Sequence, residues 1–197
     1  MIYKAANIIA SHLASKNYIP EEDQEMISYG LFLTLSRFLY ATESFFLGLI
    51  LGCVKESLVF FVAFLFIRRY AGGAHAKTER RCFMLSSLSI ACAVFIFFFL
   101  KRFININHIL VSTFFLIATI IIFILCPVES EEKKIDIKDK KKYKIKASIR
   151  MGILIVLSFI FHCMNFHTVE VAVEVAAILA SILLILGKIK EEKTHHT

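Results

Sequence analysis

Residues 67–100 read IRRYAGGAHAKTERRCFMLSSLSIACAVFIFFFL. The first sixteen residues carry five positive charges, the only Gly-Gly pair of the chain, one histidine and one cysteine. From Phe83 to Leu100 no charge occurs. A membrane span needs roughly 20 apolar residues, and basic residues gather in loops on the cytoplasmic face. The stretch therefore reads as a basic loop feeding a transmembrane helix.

The rest of the chain has the same character. Of its 197 residues 58% are hydrophobic, with 20 Phe, no Trp and 2 Pro. A soluble domain of this size has too little interior to hide so much apolar surface. The excess is gathered in runs at about 31–52, 57–70, 83–100, 108–127, 149–167 and 170–187. The expected class is an all-α polytopic membrane protein, one integral-membrane domain over residues 1–197. Residues 1–30 lack the apolar core and small-residue cleavage site of a signal peptide, so mature numbering is expected to start at Met1.

Before the first run, Ile2, Ala5, Ala6, Ile9 and Leu13 recur at helical spacing. They predict a short amphipathic helix, either lying on the membrane surface or packed as a cytosolic helix. Pro20 with Glu21, Glu22 and Asp23 suits the first turn of a second helix. Residues 31–70 are too long for one straight crossing and are interrupted by Lys55 and Glu56. They read as a tight hairpin of two spans, or as one span plus a re-entrant piece.

Charge sets the orientation. Residues 68–82 hold Arg68, Arg69, Lys77, Arg80 and Arg81, residues 128–146 hold eight lysines, and the tail has Lys188, Lys190 and Lys193. The intervening loops offer only Lys101–Arg102 and a His167–Thr168 turn. The alternation predicts about six transmembrane helices with both termini cytoplasmic, or five if the hairpin is re-entrant. The 68–82 loop is cytoplasmic either way. The 128–146 loop reads as a solvated connector that enforces topology, or as a surface for anionic lipid headgroups. Arg37 is expected to snorkel to the interface, and Glu170 and Glu174 to be interfacial. Charge that tracks membrane loops gives no sign of nucleic-acid binding.

Chemistry concentrates in the 68–82 loop. The five cysteines form no CxxC pair, and four lie in or beside apolar runs, where they act as small hydrophobes. Cys82 differs. It follows Arg80 and Arg81 and precedes a helix, and both cations and a helix N-terminus favour the thiolate. His75 lies seven residues earlier. On one continuous helix that is about 10 Å of rise, too far for a hydrogen bond. Gly72 and Gly73 supply a break, Thr78 is a candidate N-cap, and a bent link brings a base toward its nucleophile. The plain alternative is a topology-setting loop with an incidental cysteine. No second His or Cys nearby supports a metal site, and no nucleotide motif occurs, so neither metal nor cofactor is expected.

The run RRYAGGAHAKTERRC resembles the signature of the AgrB family, the accessory gene regulator B membrane proteins of Gram-positive bacteria. The likeness extends to the amphipathic start, the length, the apolar runs and the EKKIDIKDKKKYK loop. It implies a quorum-sensing cysteine endopeptidase with His75 and Cys82 as the catalytic pair, and with Arg68 and Gly73 as further family features. Arg69, Gly72, Lys77, Arg80 and Arg81 are carried with them as substrate-binding or site-shaping residues. The implied substrate is an AgrD-type propeptide with an acidic tail, processed through a peptidyl thioester to a thiolactone, and the implied assembly is a homodimer among membrane lipids. One departure stands out: relatives carry a polar residue where this chain has Phe32 after Tyr29–Gly30. Glu25, Ser28 and Glu43 are the candidate stand-ins. The alternative from another class is a small permease or lipid-binding scaffold, for which His75 and Cys82 would be dispensable.

Overall fold

The computed structural model describes residues 2–16, 18–72, 79–103, 108–128 and 137–195, of which 79–82, 102–103, 108–109, 137–139 and 193–195 are described by their backbone alone. Among the described residues the chain is all-helical, without a β-strand. The helices are α1 (Ile2–Ser15), α2 (Gln24–Ile50), α3 (Val54–Ala71), α4 (Glu79–Phe103), α5 (His108–Leu125), α6 (Ile137–Cys163) and α7 (His167–His195). The chain divides into two compact units, Met1–Glu43 and Ser44–Thr197.

In the first unit α1 is the expected amphipathic helix, but its buried face differs from the expected one. Ala6, Ala10 and Ala14 are buried, while Ile8 and Ile9 are exposed. Alanines four apart form a flat seam that lets another segment approach closely, which leaves the larger isoleucines outside. Tyr3 meets the ring of Phe32 edge-on at 5.9 Å. Pro20 caps a 3-10 turn, Glu21–Asp23, that leads into α2, so proline and acids do open the second helix. Arg37 is exposed.

The 31–70 region is two helices joined by a three-residue turn, 51–53, and the turn lies in the second unit. Gly52 has φ +70°, its N–H bonds to the Leu49 carbonyl (3.4 Å), and the Cys53 N–H bonds to the Gly48 carbonyl (2.8 Å). This is the Schellman pattern, in which a left-handed residue lets the helix end satisfy its own carbonyls. The return helix is zipped on by two serines. Ser44 and Ser57 lie with their Oγ atoms 2.6 Å apart, and each hydroxyl also reaches the other's carbonyl.

α7 is the centre of this unit and packs on α3, α5 and α6. Its buried residues are mostly small, among them Ala172, Ala176, Ala177 and Ala180. Such rows let helix backbones approach where no hydrophobic effect drives them together. Large apolar residues such as Ile50, Met84, Ile124 and Phe159 face outward and are mostly exposed, a surface suited to lipid.

Among the described residues three segments are long and apolar enough to cross a membrane: Phe83–Lys101, Lys140–Cys163 and His167–Glu192. α5 carries a shorter apolar stretch, Leu110–Leu125. α3 is charged at both ends, by Lys55 and Glu56 and by Arg68 and Arg69, which leaves only residues 57–67 free of charge.

One expectation is corrected. The lysine-rich connector is helical from Ile137 onward as the start of α6. Lysine is a good helix former, and the apolar run that follows extends the helix back into it. Near the start of α7, Glu170 and Glu174 are buried against protein, only 3% and 2% exposed. Neighbouring hydroxyls and imidazoles on α5 and α6 hold them inside.

Candidate active site

The expected loop joins α3 to α4, and the described residues show how its α3 root is held and where its α4 root begins. The last turn of α3 carries Arg68 and Arg69. Arg68 Nη1 donates to the carbonyl of Gly72 at 2.6 Å, which satisfies a helix-end acceptor and places a cation at the negative end of the helix dipole. Gly72 itself has φ +77° and ψ −145°, a conformation open to glycine alone.

Gly72 is also pinned from outside. It forms an isolated parallel bridge with Val128, whose N–H donates to the Ala71 carbonyl at 3.2 Å. A Cβ on Gly72 would run into the Val128 carbonyl oxygen. Cys126, just beyond α5, adds a weak hydrogen bond from its thiol to the Tyr70 carbonyl at 3.6 Å. The strip that leaves α5 is thus fastened along the end of α3.

A basic and aromatic cluster backs this root. Arg150 of α6 donates to the Phe66 carbonyl at 2.5 Å and stacks over the rings of Phe66 (4.4 Å) and Tyr70 (4.2 Å). Lys146 lies 5.3 Å and Arg69 5.8 Å from the centre of the Tyr70 ring, and the Tyr143 ring meets it at 5.5 Å. Each cation–aromatic contact is worth about 0.5–2 kcal/mol. The lysine-rich start of α6 therefore packs against the root of the loop.

The other root is the start of α4. Glu79 is its first residue and Cys82 its fourth, so the Cys82 backbone lies in the first turn. Helix dipoles place partial positive charge there. Two other cysteines have the opposite surroundings. Burial pushes the Cys126 thiol up to about 11, against a smaller lowering by Lys144. Burial, aided by the Glu56 carboxylate, also raises Cys53 in the α2–α3 turn. Both are held as neutral thiols.

The structure places Arg68, Arg69 and Gly72 together at the end of α3. Gly73, His75, Lys77 and Thr78 lie outside the described residues, and Arg80, Arg81 and Cys82 are placed by backbone only. Of the candidate stand-ins for the polar residue of relatives, Glu25 is exposed and Ser28 is buried, with its hydroxyl unpartnered among the described residues. Sequence reasoning missed Tyr70, Val128, Tyr143, Lys146 and Arg150. Arg150, the first charge inside the apolar run from 149, was the available signal, because a charge there faces protein rather than lipid.

Comparison with known proteins identifies the family. The family model for accessory gene regulator B matches residues 3–187. A putative AgrB-like protein of Clostridium perfringens (strain SM101) is 27% identical over 154 residues, covering 77% of this chain and 72% of its own. Putative AgrB-like protein 2 of C. perfringens (strain 13) is 28% identical over the same shares. The accessory gene regulator protein B of Staphylococcus aureus (strain RF122) is 27% identical over 78% of this chain and 80% of its own. No solved structure matches the chain significantly. With a family match over nearly the whole length, joined to a glycine-rooted loop and a cysteine at a helix start, the chain belongs to the accessory gene regulator B family.

Proposed function

We propose that the chain is a membrane cysteine endopeptidase that removes the C-terminal tail of an AgrD-type propeptide and helps close the remainder into a thiolactone. The family implies a role in agr quorum sensing. The observation that carries the finer reading is the position of Cys82 in the first turn of α4, directly after Arg80 and Arg81, in a chain of this family.

The chemistry follows from the residues. His75 takes the proton of Cys82, and the thiolate attacks the carbonyl carbon before the tail. The C–N bond breaks, the leaving amine takes the proton back from the His75 imidazolium, and the peptide remains on Cys82 as a thioester. An internal thiol of the peptide then attacks that thioester, and Cys82 leaves with a proton. One thioester replaces another, so no ATP is needed. Proximity supplies the rate, and water must be excluded for ring closure to outrun hydrolysis. Arg68, Arg69, Lys77, Arg80 and Arg81, together with Lys146 and Arg150 beside Tyr70, supply positive charge that attracts an acidic tail. The loop faces the cytoplasm in this reading, and two copies form the working unit.

The test is intact-mass detection of the peptidyl adduct after reconstitution with the propeptide, from pH 7 to 9. Cys82→Ala is expected to lose both cleavage and adduct. His75→Ala is expected to slow both by about 10²–10⁴-fold, with partial recovery at higher pH. Normal cleavage by Cys82→Ala would overturn the peptidase assignment.

A further inference from the structure

The end of the second unit away from the Cys82 root holds a cluster that the peptidase chemistry does not use. α6 closes with a Schellman pattern: Asn165 sits at φ +59°, its N–H bonds to the His162 carbonyl (3.0 Å), and the Phe166 N–H bonds to the Phe161 carbonyl (2.9 Å). The reversal is so tight that α7 starts at His167. It brings His162, His167 and Glu170 together. His162 Nδ1 lies 2.9 Å from Glu170 Oε1, and His167 Nδ1 lies 3.2 Å from Glu170 Oε2. Their ligand atoms all fall within 4.8 Å of one another.

A second observation is the charge balance. Glu170 is 3% exposed, and its ion-pair partners among the described residues are these two imidazoles. One turn later Glu174 is 2% exposed, and its described hydrogen-bond partners are the hydroxyls of Ser112 (3.1 Å) and Ser158 (3.0 Å). A carboxylate buried as Glu170 is, without a permanent cation, is costly. A bound divalent ion offsets that cost. The two imidazoles open outward, with side chains 55% and 35% exposed, so an ion has a way in.

We propose that His162, His167 and Glu170 bind a zinc-class divalent ion that clips the α6–α7 turn. Two imidazole nitrogens and one carboxylate suit zinc, at about 2.0–2.2 Å per bond, and disfavour calcium and magnesium, which take oxygen ligands. Modest rotation of the two rings converts the imidazole–carboxylate hydrogen bonds into three metal bonds. Glu174 stays behind, held by the two serines, and a water completes the coordination. This departs from the sequence-based expectation of no metal, which weighed only ligands near His75.

The test is zinc retention by the full-length protein in detergent, in a background carrying His195→Ala and His196→Ala to remove the terminal histidines. After zinc loading and desalting against a weak chelator, the background is expected to keep about one zinc ion per chain. His162→Gln and His167→Gln should each cut retention by at least about ten-fold, while eluting as the background does in size-exclusion chromatography. Zinc should also raise the unfolding temperature of the background and not of the variants, and cobalt should give the visible bands of a tetrahedral site only in the background. No retained zinc in the background, or retention by both variants equal to that of the background, would overturn the proposal. The readouts do not involve peptidase activity, so they stand apart from the assignment of Cys82.

Discussion

Gly72 is the residue on which the geometry of the loop turns. Its φ of +77° and the nearness of the Val128 carbonyl each exclude a side chain. Gly72→Ala therefore costs backbone strain of about 1–3 kcal/mol or forces the Val128 strip away. The expected outcome is a lower unfolding temperature together with reduced propeptide cleavage. Gly152→Ala is the control: a Cβ there meets nothing within 4 Å, and alanine in a helix is neutral or slightly stabilising. Equal behaviour of the two variants in a thermal melt would remove the special role of Gly72. The sequence marked the Gly-Gly pair as a break, because glycine alone turns freely. It did not show that Gly72 must also clear Val128, since nothing local in either segment encodes that meeting.

Among the elements, the α2–α3 hairpin shows which kind of contact matters most. A Cβ on Gly48 would stand 2.9 Å from the Ser57 Cβ and 3.0 Å from the Val54 Cα, so the two helices touch backbone to backbone there. Ser44 and Ser57 hold them with hydroxyl bonds. Interhelical hydrogen bonds in membranes average about 0.6 kcal/mol, whereas lost close packing spreads over the whole contact. Gly48→Leu is expected to destabilise the protein more than Ser44→Ala, as measured by unfolding in mixed detergent. The opposite order would mean that the hydroxyls, not the close approach, hold the hairpin. The hairpin was legible from length and from Lys55–Glu56. The helical start of α6 was not, because a lysine-rich stretch reads the same in a loop or a helix until the packing of Lys146 and Arg150 on Tyr70 decides it.

Across the second unit, the two ends carry different charge. At one end Arg68, Arg69, Lys146 and Arg150 gather behind the loop root. At the other, Lys101 is neutralised by Glu56 at 3.3 Å and donates to the Gly52 carbonyl, beside Thr168 and Val171 of α7. The lone lysine of the charge-poor loops is thus paired, which sharpens the contrast read from sequence. Cys82 and Cys163 lie at opposite ends, and Cys163 is exposed. In intact cells an impermeant thiol reagent is expected to label a variant retaining only Cys163 and to spare one retaining only Cys82. The reverse pattern would invert the orientation. Helical class, hairpin and basic loop were all legible, since hydropathy and charge are local properties. The buried Glu170 and Glu174 were not, because their partners come from α5 and α6 and only the folded helices bring them together.

The bond between Ala71 and Val128 also orders events in time. α3 and α4 leave the ribosome long before Val128 does, and until that residue arrives the end of α3 has neither its bridge nor the stacking of Arg150. A nascent chain that already contains His75 and Cys82 still lacks the fastening that sets the loop's starting direction. The α3 end is complete only once α5, and then α6, have been synthesised and laid alongside.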